Sequence, residues 1–188
     1  MDSPVEKLVE IIRSDRWLME LLCIVSDIPE ARCYIGAGAI RDVVWDRLSG
    51  IQEHDAVNDI DVVYFDERQI HSDTDAQLQN RLTKNRSDVE WEVTNQAEVH
   101  LWYSEYFGEE IAPYSSIAEA VASWPEYASA IAVRLDGDRF DVIAPHGLND
   151  LLAMRVQRNP VQVTEAQYQL RLSKKRYRER WPNVVIEK

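Results

Sequence analysis

Apolar positions open the chain at helical spacing: Val5, Leu8, Val9 and Ile12, then Leu18, Leu21, Leu22 and Val25. Ser3-Pro4-Val5-Glu6 supplies an N-cap, a proline at the first helical position and the glutamate of a capping box. A break is expected near Ser14-Asp15, and Pro29 ends the region. This stripe reads as core packing without chemistry. The pattern then shortens to a strand, Cys33-Tyr34-Ile35, followed by the small-residue turn Gly36-Ala37-Gly38-Ala39 and helical periodicity from Ile40 to Leu48. Ser49 to Asn58 is polar, contains Gly50, His54 and Asp55, and reads as a surface loop with His54 solvated.

The next run, Asn58-Asp59-Ile60-Asp61-Val62-Val63-Tyr64-Phe65-Asp66, is β-branched and aromatic at its centre and reads as a buried strand. Strand side chains alternate, so Asp59 and Asp61 share a face and lie side by side. Two close carboxylates on a half-buried strand are costly unless neutralised. A divalent cation does this, since Mg²⁺ takes carboxylate oxygens and completes its shell with water and phosphate. The alternative is that Asp59 only enters the strand and that Asp61 meets an arginine or a helix N-terminus.

Asp73 to Asn85, with Leu78 and Leu82 at i and i+4, predicts a largely exposed helix. Val89-Glu90-Trp91-Glu92-Val93-Thr94 alternates as a strand, with both glutamates on one face. That face either meets solvent or turns toward Asp59 and Asp61. Asn95-Gln96-Ala97-Glu98 and Ser116-Ile117-Ala118-Glu119 match capping boxes. The aromatic residues after the first, and His100, read as core and as a satisfied helix histidine. Ala130–Leu135 and Arg139–Ile143 flank Asp136-Gly137, a strong hairpin signal. Asp141 in the second strand reaches a site or pairs with Arg139 or Arg134. Leu148 to Arg155 predicts a short helix, Asn159-Pro160 a break, and Thr164 with Gln167 a final helix to about Trp181.

At 188 residues the chain reads as one domain. Its parts are a helical 1–28, a sheet-containing 30–150 and a helical 151–188. No apolar run approaches a membrane span, and Asp2, Glu6 and Glu10 interrupt any signal pattern. Cys23 and Cys33 form no metal spacing or disulfide framework, so a cytoplasmic protein is expected. The net charge of −12 disfavours a long nucleic acid as partner. The one basic segment, Arg171, Lys174, Lys175, Arg176, Arg178 and Arg180, reads as a solvated helix face.

A strand–turn–helix with glycines suits an anion at the helix start. That turn, then Asp-x-Asp on the next strand, then a carboxylate-bearing strand is an order that resembles the DNA polymerase β-like nucleotidyltransferase superfamily. Ala37-Gly38-Ala39-Ile40-Arg41-Asp42 and Asp59-Ile60-Asp61 look like the Gly-Gly-x-Val-Arg-Asp and Asp-x-Asp motifs of tRNA nucleotidyltransferases and their bacterial relatives. Asp141 to Leu151 resembles the Asp-Pro…Gly-Gly…Asp-Leu segment that follows. Trp45-Asp46, Val62–Asp66 and Asn95–His100 look like a small bacterial branch of such proteins, nearly over the whole chain. The resemblance implies an α+β nucleotidyltransferase fold: a mixed β-sheet with packed helices and a helical C-terminal portion. It implies Mg²⁺ on Asp59 and Asp61, and a nucleoside triphosphate such as ATP held by Ala37, Gly38 and Arg41. It also implies a third carboxylate, Glu92 first, with Glu90 and Asp141 behind it. Ala37 departs from the glycine of the stricter motif, and Arg41 has a helix salt bridge as an equal reading. The reaction implied is transfer of a nucleoside monophosphate to a small molecule, protein or RNA end, with pyrophosphate leaving. The alternative is an inactive nucleotide-binding or protein-interaction module of the same fold.

Overall fold

The structure, a computed structural model, describes residues 3–52, 59–161 and 163–187. His54, Asp55 and Asn58 of the polar loop lie outside the described residues.

Helices α1 (Pro4–Ser14) and α2 (Arg16–Ser26) begin where the caps place them. The Ser3 hydroxyl accepts from the Glu6 N–H at 3.2 Å, and the Glu6 carboxylate accepts from the Ser3 N–H at 2.6 Å. Asp15 ends α1 and caps α2, its carboxylate accepting from the Leu18 N–H at 2.8 Å. Strand β1 (Tyr34–Gly36) runs into α3 (Ala37–Ser49), and β2 (Ile60–Tyr64) follows. Helix α4 (Thr74–Asn85) crosses to β3 (Trp91–Asn95), burying Leu78 and Leu82 as their spacing requires. Then come α5 (Val99–Phe107), α6 (Ile117–Ala122), and the hairpin β4 (Ala132–Asp136) and β5 (Arg139–Ile143). The C-terminal part holds α7 (Asn149–Leu152), β6 (Arg155–Val156), α8 (Glu165–Lys175), α9 (Tyr177–Arg180) and β7 (Val185–Ile186).

Five strands form one mixed sheet in the order β3-β2-β1-β4-β5. β2 and β3 are parallel because α4 makes the crossover; the other neighbours are antiparallel. One face carries Ile35, Ile60, Val62, Trp91, Val93 and Val133 into the main core, with Leu8, Ile12, Leu22, Val44, Trp45, Tyr177 and Trp181 from the helices. Each such aliphatic side chain stabilises the fold by roughly 1.5–3 kcal/mol on burial. The opposite face carries Tyr34, Val63 and Ala132 against Val121 and Trp124. Strand alternation puts Asp61 and Glu92 on this second face.

Several local expectations needed correction. The hairpin turn is Gly137-Asp138, since Asp136 pairs with Arg139 across the strands. The Asn95 side chain caps a short 3₁₀ turn, Gln96–Glu98, ahead of α5. No capping box closes there: the Asn95 N–H donates to Asp75 at 3.0 Å, and the Glu98 carboxylate accepts from the His71 N–H. The Ser116 box is also half-formed, because Glu119 reaches the Ser115 N–H and hydroxyl instead. On α5, Tyr103 is buried, but Leu101, Tyr106 and Phe107 are exposed. His100 has a buried Nδ1 without a hydrogen-bond partner among the described residues. The helix expected from Leu148 to Arg155 is one turn, and Arg155 and Val156 pair with Val185 and Ile186 in a small parallel sheet. The last helix breaks at Arg176, which takes φ +50° and divides α8 from α9.

Candidate active site

Asp59 precedes β2 and Asp61 is its second residue. The parallel register sets Asp61 directly beside Glu92 of β3. One carboxylate oxygen from each of Asp59, Asp61 and Glu92 lies within 4.8 Å of the other two. The two aspartates are half-buried, whereas Glu92 is exposed. Among the described residues none of the three forms an ion pair. Burial, then the charges of Asp59 and Glu92, push the Asp61 carboxyl up to about 7, with Lys175 and Arg171 opposing. All three donors are hard oxygens, and the group needs positive charge. The set fits a divalent cation of the Mg²⁺ type.

The other two carboxylates considered do not join them. Glu90 is exposed one residue before β3 and is not part of the cluster. Asp141 shares the sheet face, but it lies on the far edge strand. There it accepts from Tyr34 at 2.6 Å and from Arg32 at 2.9 Å, which together hold its carboxyl below the ordinary aspartate value. Its partner is Arg32; neither Arg139 nor Arg134 bonds it, although Arg134 stands opposite it in the ladder. Arg134 is turned away to the carbonyls of Cys33 and Ser26.

On the other side of Asp61 stands the turn that opens α3. Tyr34 pairs with Val63 and Ile35 with Val62, so the same register brings Gly36 opposite Asp61. Gly36 is glycine for a packing reason: a Cβ there would come 2.6 Å from the Trp124 ring. Ala37 follows at φ +50°, a left-handed conformation that costs a non-glycine residue roughly 1–2 kcal/mol. This is where the stricter motif has glycine, and the departure is now a strain rather than a blockage. Gly38 is open: a Cβ there would meet only the Arg41 guanidinium, at 3.7 Å. The first N–H groups of α3 lack intrahelical partners, as at any helix start, although Ala37 N–H is engaged by the Ile131 carbonyl at 3.0 Å.

Arg41 does not face this turn as an open anion contact. It is 2% exposed and its guanidinium is fully occupied inside the protein. It donates to Asp42 at 2.8 Å, to the Ser129 hydroxyl at 2.8 Å and to the Tyr177 hydroxyl at 3.2 Å. Tyr177 donates in turn to Glu126 at 2.7 Å, and Arg171 donates to the other Glu126 oxygen at 3.0 Å. Burial pushes Glu126 up, but Arg171 and Arg41 outweigh it and hold its carboxyl below the ordinary value. Arg180 grips Asp46 with two bonds of 2.9 and 2.8 Å, and the Trp181 indole N–H adds a third at 2.8 Å. The face of α3 bearing Arg41, Asp42, Trp45 and Asp46 therefore clamps α8 and α9. The basic segment is solvated only in part: Lys174, Lys175, Arg176 and Arg178 are exposed, while Arg171 and Arg180 anchor it to Glu126 and Asp46. Sequence spacing could show that Arg171 and Lys175 share a helix face, but not that this face turns toward Glu126.

A family model described as Nucleotidyltransferase matches residues 25–186 of the chain. The chain belongs to this nucleotidyltransferase family. Its fold is also that of a protein whose NMR structure is described as revealing a CCA-adding enzyme head domain. The two are 28% identical with a TM-score of 0.79, over 97% of this chain and 95% of that one. A CCA-adding enzyme in an apo form is 13% identical with a TM-score of 0.59, over 96% of this chain and 44% of the enzyme. A CCA-adding enzyme in complex with ATP is 14% identical with a TM-score of 0.58, over 95% of this chain and 42% of the enzyme. These last two likenesses concern the fold alone, and the chain spans less than half the length of those enzymes. No protein of curated function matches the chain. No helix among the described residues is long and apolar enough to cross a membrane.

Proposed function

We propose that this nucleotidyltransferase moves a nucleoside monophosphate from a triphosphate to an acceptor, using Mg²⁺ held by Asp59, Asp61 and Glu92. The single observation behind the reading is the carboxylate triad beside the α3 turn, which has no ion pair among the described residues. When bound, the cation supplies charge neutralisation and Lewis acidity at the reacting phosphate. Asp59, just before β2, and Asp61 within it would hold the cation. Glu92, the exposed member, accepts the proton of the acceptor hydroxyl. The acceptor oxygen then forms its bond to the α-phosphorus as the bond to the bridging oxygen breaks, and pyrophosphate leaves. The Gly38 turn, where no side chain stands in the way, holds the phosphates through backbone N–H groups. ATP is a fitting first triphosphate, since a CCA-adding enzyme of the same fold is seen with it. Both cysteines are free thiols, in keeping with a reducing cytoplasm.

Calorimetric titration with ATP, GTP, CTP and UTP tests this without knowledge of the acceptor. Binding is expected with Mg²⁺ and is expected to fall at least tenfold without it or in Asp59→Asn/Asp61→Asn. Equal binding by the double variant would leave an interaction module of the same fold as the better reading.

A further inference from the structure

Helix α8 brings a cation to this site that the fold does not use. Arg171 and Lys175 lie at i and i+4, so they share one face of the helix. Arg171 fixes the direction of that face by its bond to Glu126. Glu126 in turn is tied through Tyr177 and Ser129 to the Arg41 guanidinium, which lies directly beneath Gly38. Two residues after Lys175, the buried Tyr177 closes the same network from the other side. Lys175 is therefore set between two residues anchored in the network that reaches Gly38 through Arg41. It is exposed and has no ion pair among the described residues, unlike Arg171, Arg176 and Arg180 around it.

We infer that Lys175 is a substrate-binding residue that grips the β- and γ-phosphates of the triphosphate against the Gly38 turn. The inference rests on the nucleotidyltransferase reading above and assigns the terminal phosphates a place within it. Charge supports it. The buried network balances internally, with Arg41 and Arg171 against Asp42 and Glu126. The triad is reserved for metal, and Lys175, unpaired among the described residues, adds a positive charge beside this network, where it opposes the rise that burial imposes on the Asp42 carboxyl. An ammonium on a flexible stem suits an anion that arrives as triphosphate and leaves as pyrophosphate. Lys175 stays protonated throughout; no proton passes through it.

The test compares wild type, Lys175→Gln, Lys175→Arg and the distant control Lys84→Gln, titrated with Mg²⁺ and each nucleoside triphosphate, then with the corresponding monophosphate. Lys175→Gln is expected to weaken every triphosphate at least tenfold, leave monophosphate binding and the ranking of the four bases unchanged, and be rescued to within about threefold by Lys175→Arg. Lys84→Gln should match wild type, and thermal melting should show all three variants folded, because Lys175 supports no contact of the fold. If wild type binds triphosphate and Lys175→Gln binds it equally well, this inference fails while the site reading stands. If triphosphate and monophosphate are weakened alike, the contact to the terminal phosphates is refuted. If wild type binds no triphosphate, both readings fall.

Discussion

Two groups of carboxylates stand on either side of the α3 turn, and they are handled in opposite ways. Asp42, Asp46 and Glu126 are almost wholly buried, yet every one meets an arginine: Arg41, Arg180, or Arg41 and Arg171 together. Asp59, Asp61 and Glu92 are more exposed and, among the described residues, form no ion pair and cluster with each other. Desolvation makes an unpaired buried charge expensive, so a fold that needs carboxylates for packing supplies their counterions. A fold that leaves three side by side without one has kept them for something that comes from outside. Burial pushes both Asp42 and Asp61 up, but Asp42 is opposed by the Arg41 guanidinium bonded to it, whereas Asp61 has the charges of Asp59 and Glu92 added to its burial. The difference separates structural charge from chemical charge within a single molecule.

The largest effect is expected from removing a cation of the paired group. Arg41→Met would leave Asp42 and Glu126 short of a cation inside the protein. A loss of about 3–5 kcal/mol is expected, as for other broken buried pairs. For a chain of this size that lowers the melting temperature by roughly 10 °C, read by thermal denaturation. A change within about 1 °C would mean that Arg41 is not the clamp described.

Asp61→Asn should act in the other direction. The native carboxyl titrates near 7 and the unfolded one near its ordinary value of 3.8. Between those values the native state holds the proton and the unfolded chain does not, so stability falls as pH rises through this window. Above 7 the full cost is present. Metal-free Asp61→Asn should therefore be more stable than wild type at pH 8, on the order of 2 kcal/mol, and the gain should fade as the pH drops from 7 toward 4. Chemical denaturation at pH 8 and pH 5 checks this. A constant difference between the two would show that the triad charge is not what sets it.

The smallest effect is at the turn between the groups. Ala37→Gly removes a left-handed alanine but adds backbone freedom to the unfolded chain, so a net gain of up to about 1 kcal/mol is expected. Equilibrium denaturation would measure it, and a loss of stability would contradict the strain assigned to this position.

Features encoded within a few residues were legible from the chain alone. The Ser3–Glu6 and Thr164–Gln167 caps formed as written, whereas at Asn95 and Ser116 the glutamate three residues on was taken by another partner. The period-two pattern of β3 already separated Glu90 and Glu92 from Trp91 and Val93. What it could not supply was the parallel register that sets Glu92 beside Asp61, because that depends on how α4 returns the chain. Arg41 shows the same limit: motif spacing put it near the phosphate turn, and only packing turned its guanidinium inward to Ser129 and Tyr177, 88 and 136 residues away in sequence. The role of α8 was hidden for this reason too, since Arg171 meets Glu126 across 45 residues. Short strands such as β6 and β7 carry too few positions for any period to show.

The triad of Asp59, Asp61 and Glu92 is assigned to a divalent cation. Electron paramagnetic resonance of Mn²⁺, a paramagnetic substitute for Mg²⁺, tests it most directly by counting free ion as protein is added. Wild type is expected to remove Mn²⁺ saturably and in competition with Mg²⁺, Asp61→Asn and Glu92→Gln to bind at least tenfold more weakly, and Asp141→Asn to match wild type. Binding by Asp61→Asn and Glu92→Gln equal to that of wild type would mean that the three carboxylates are not the metal site.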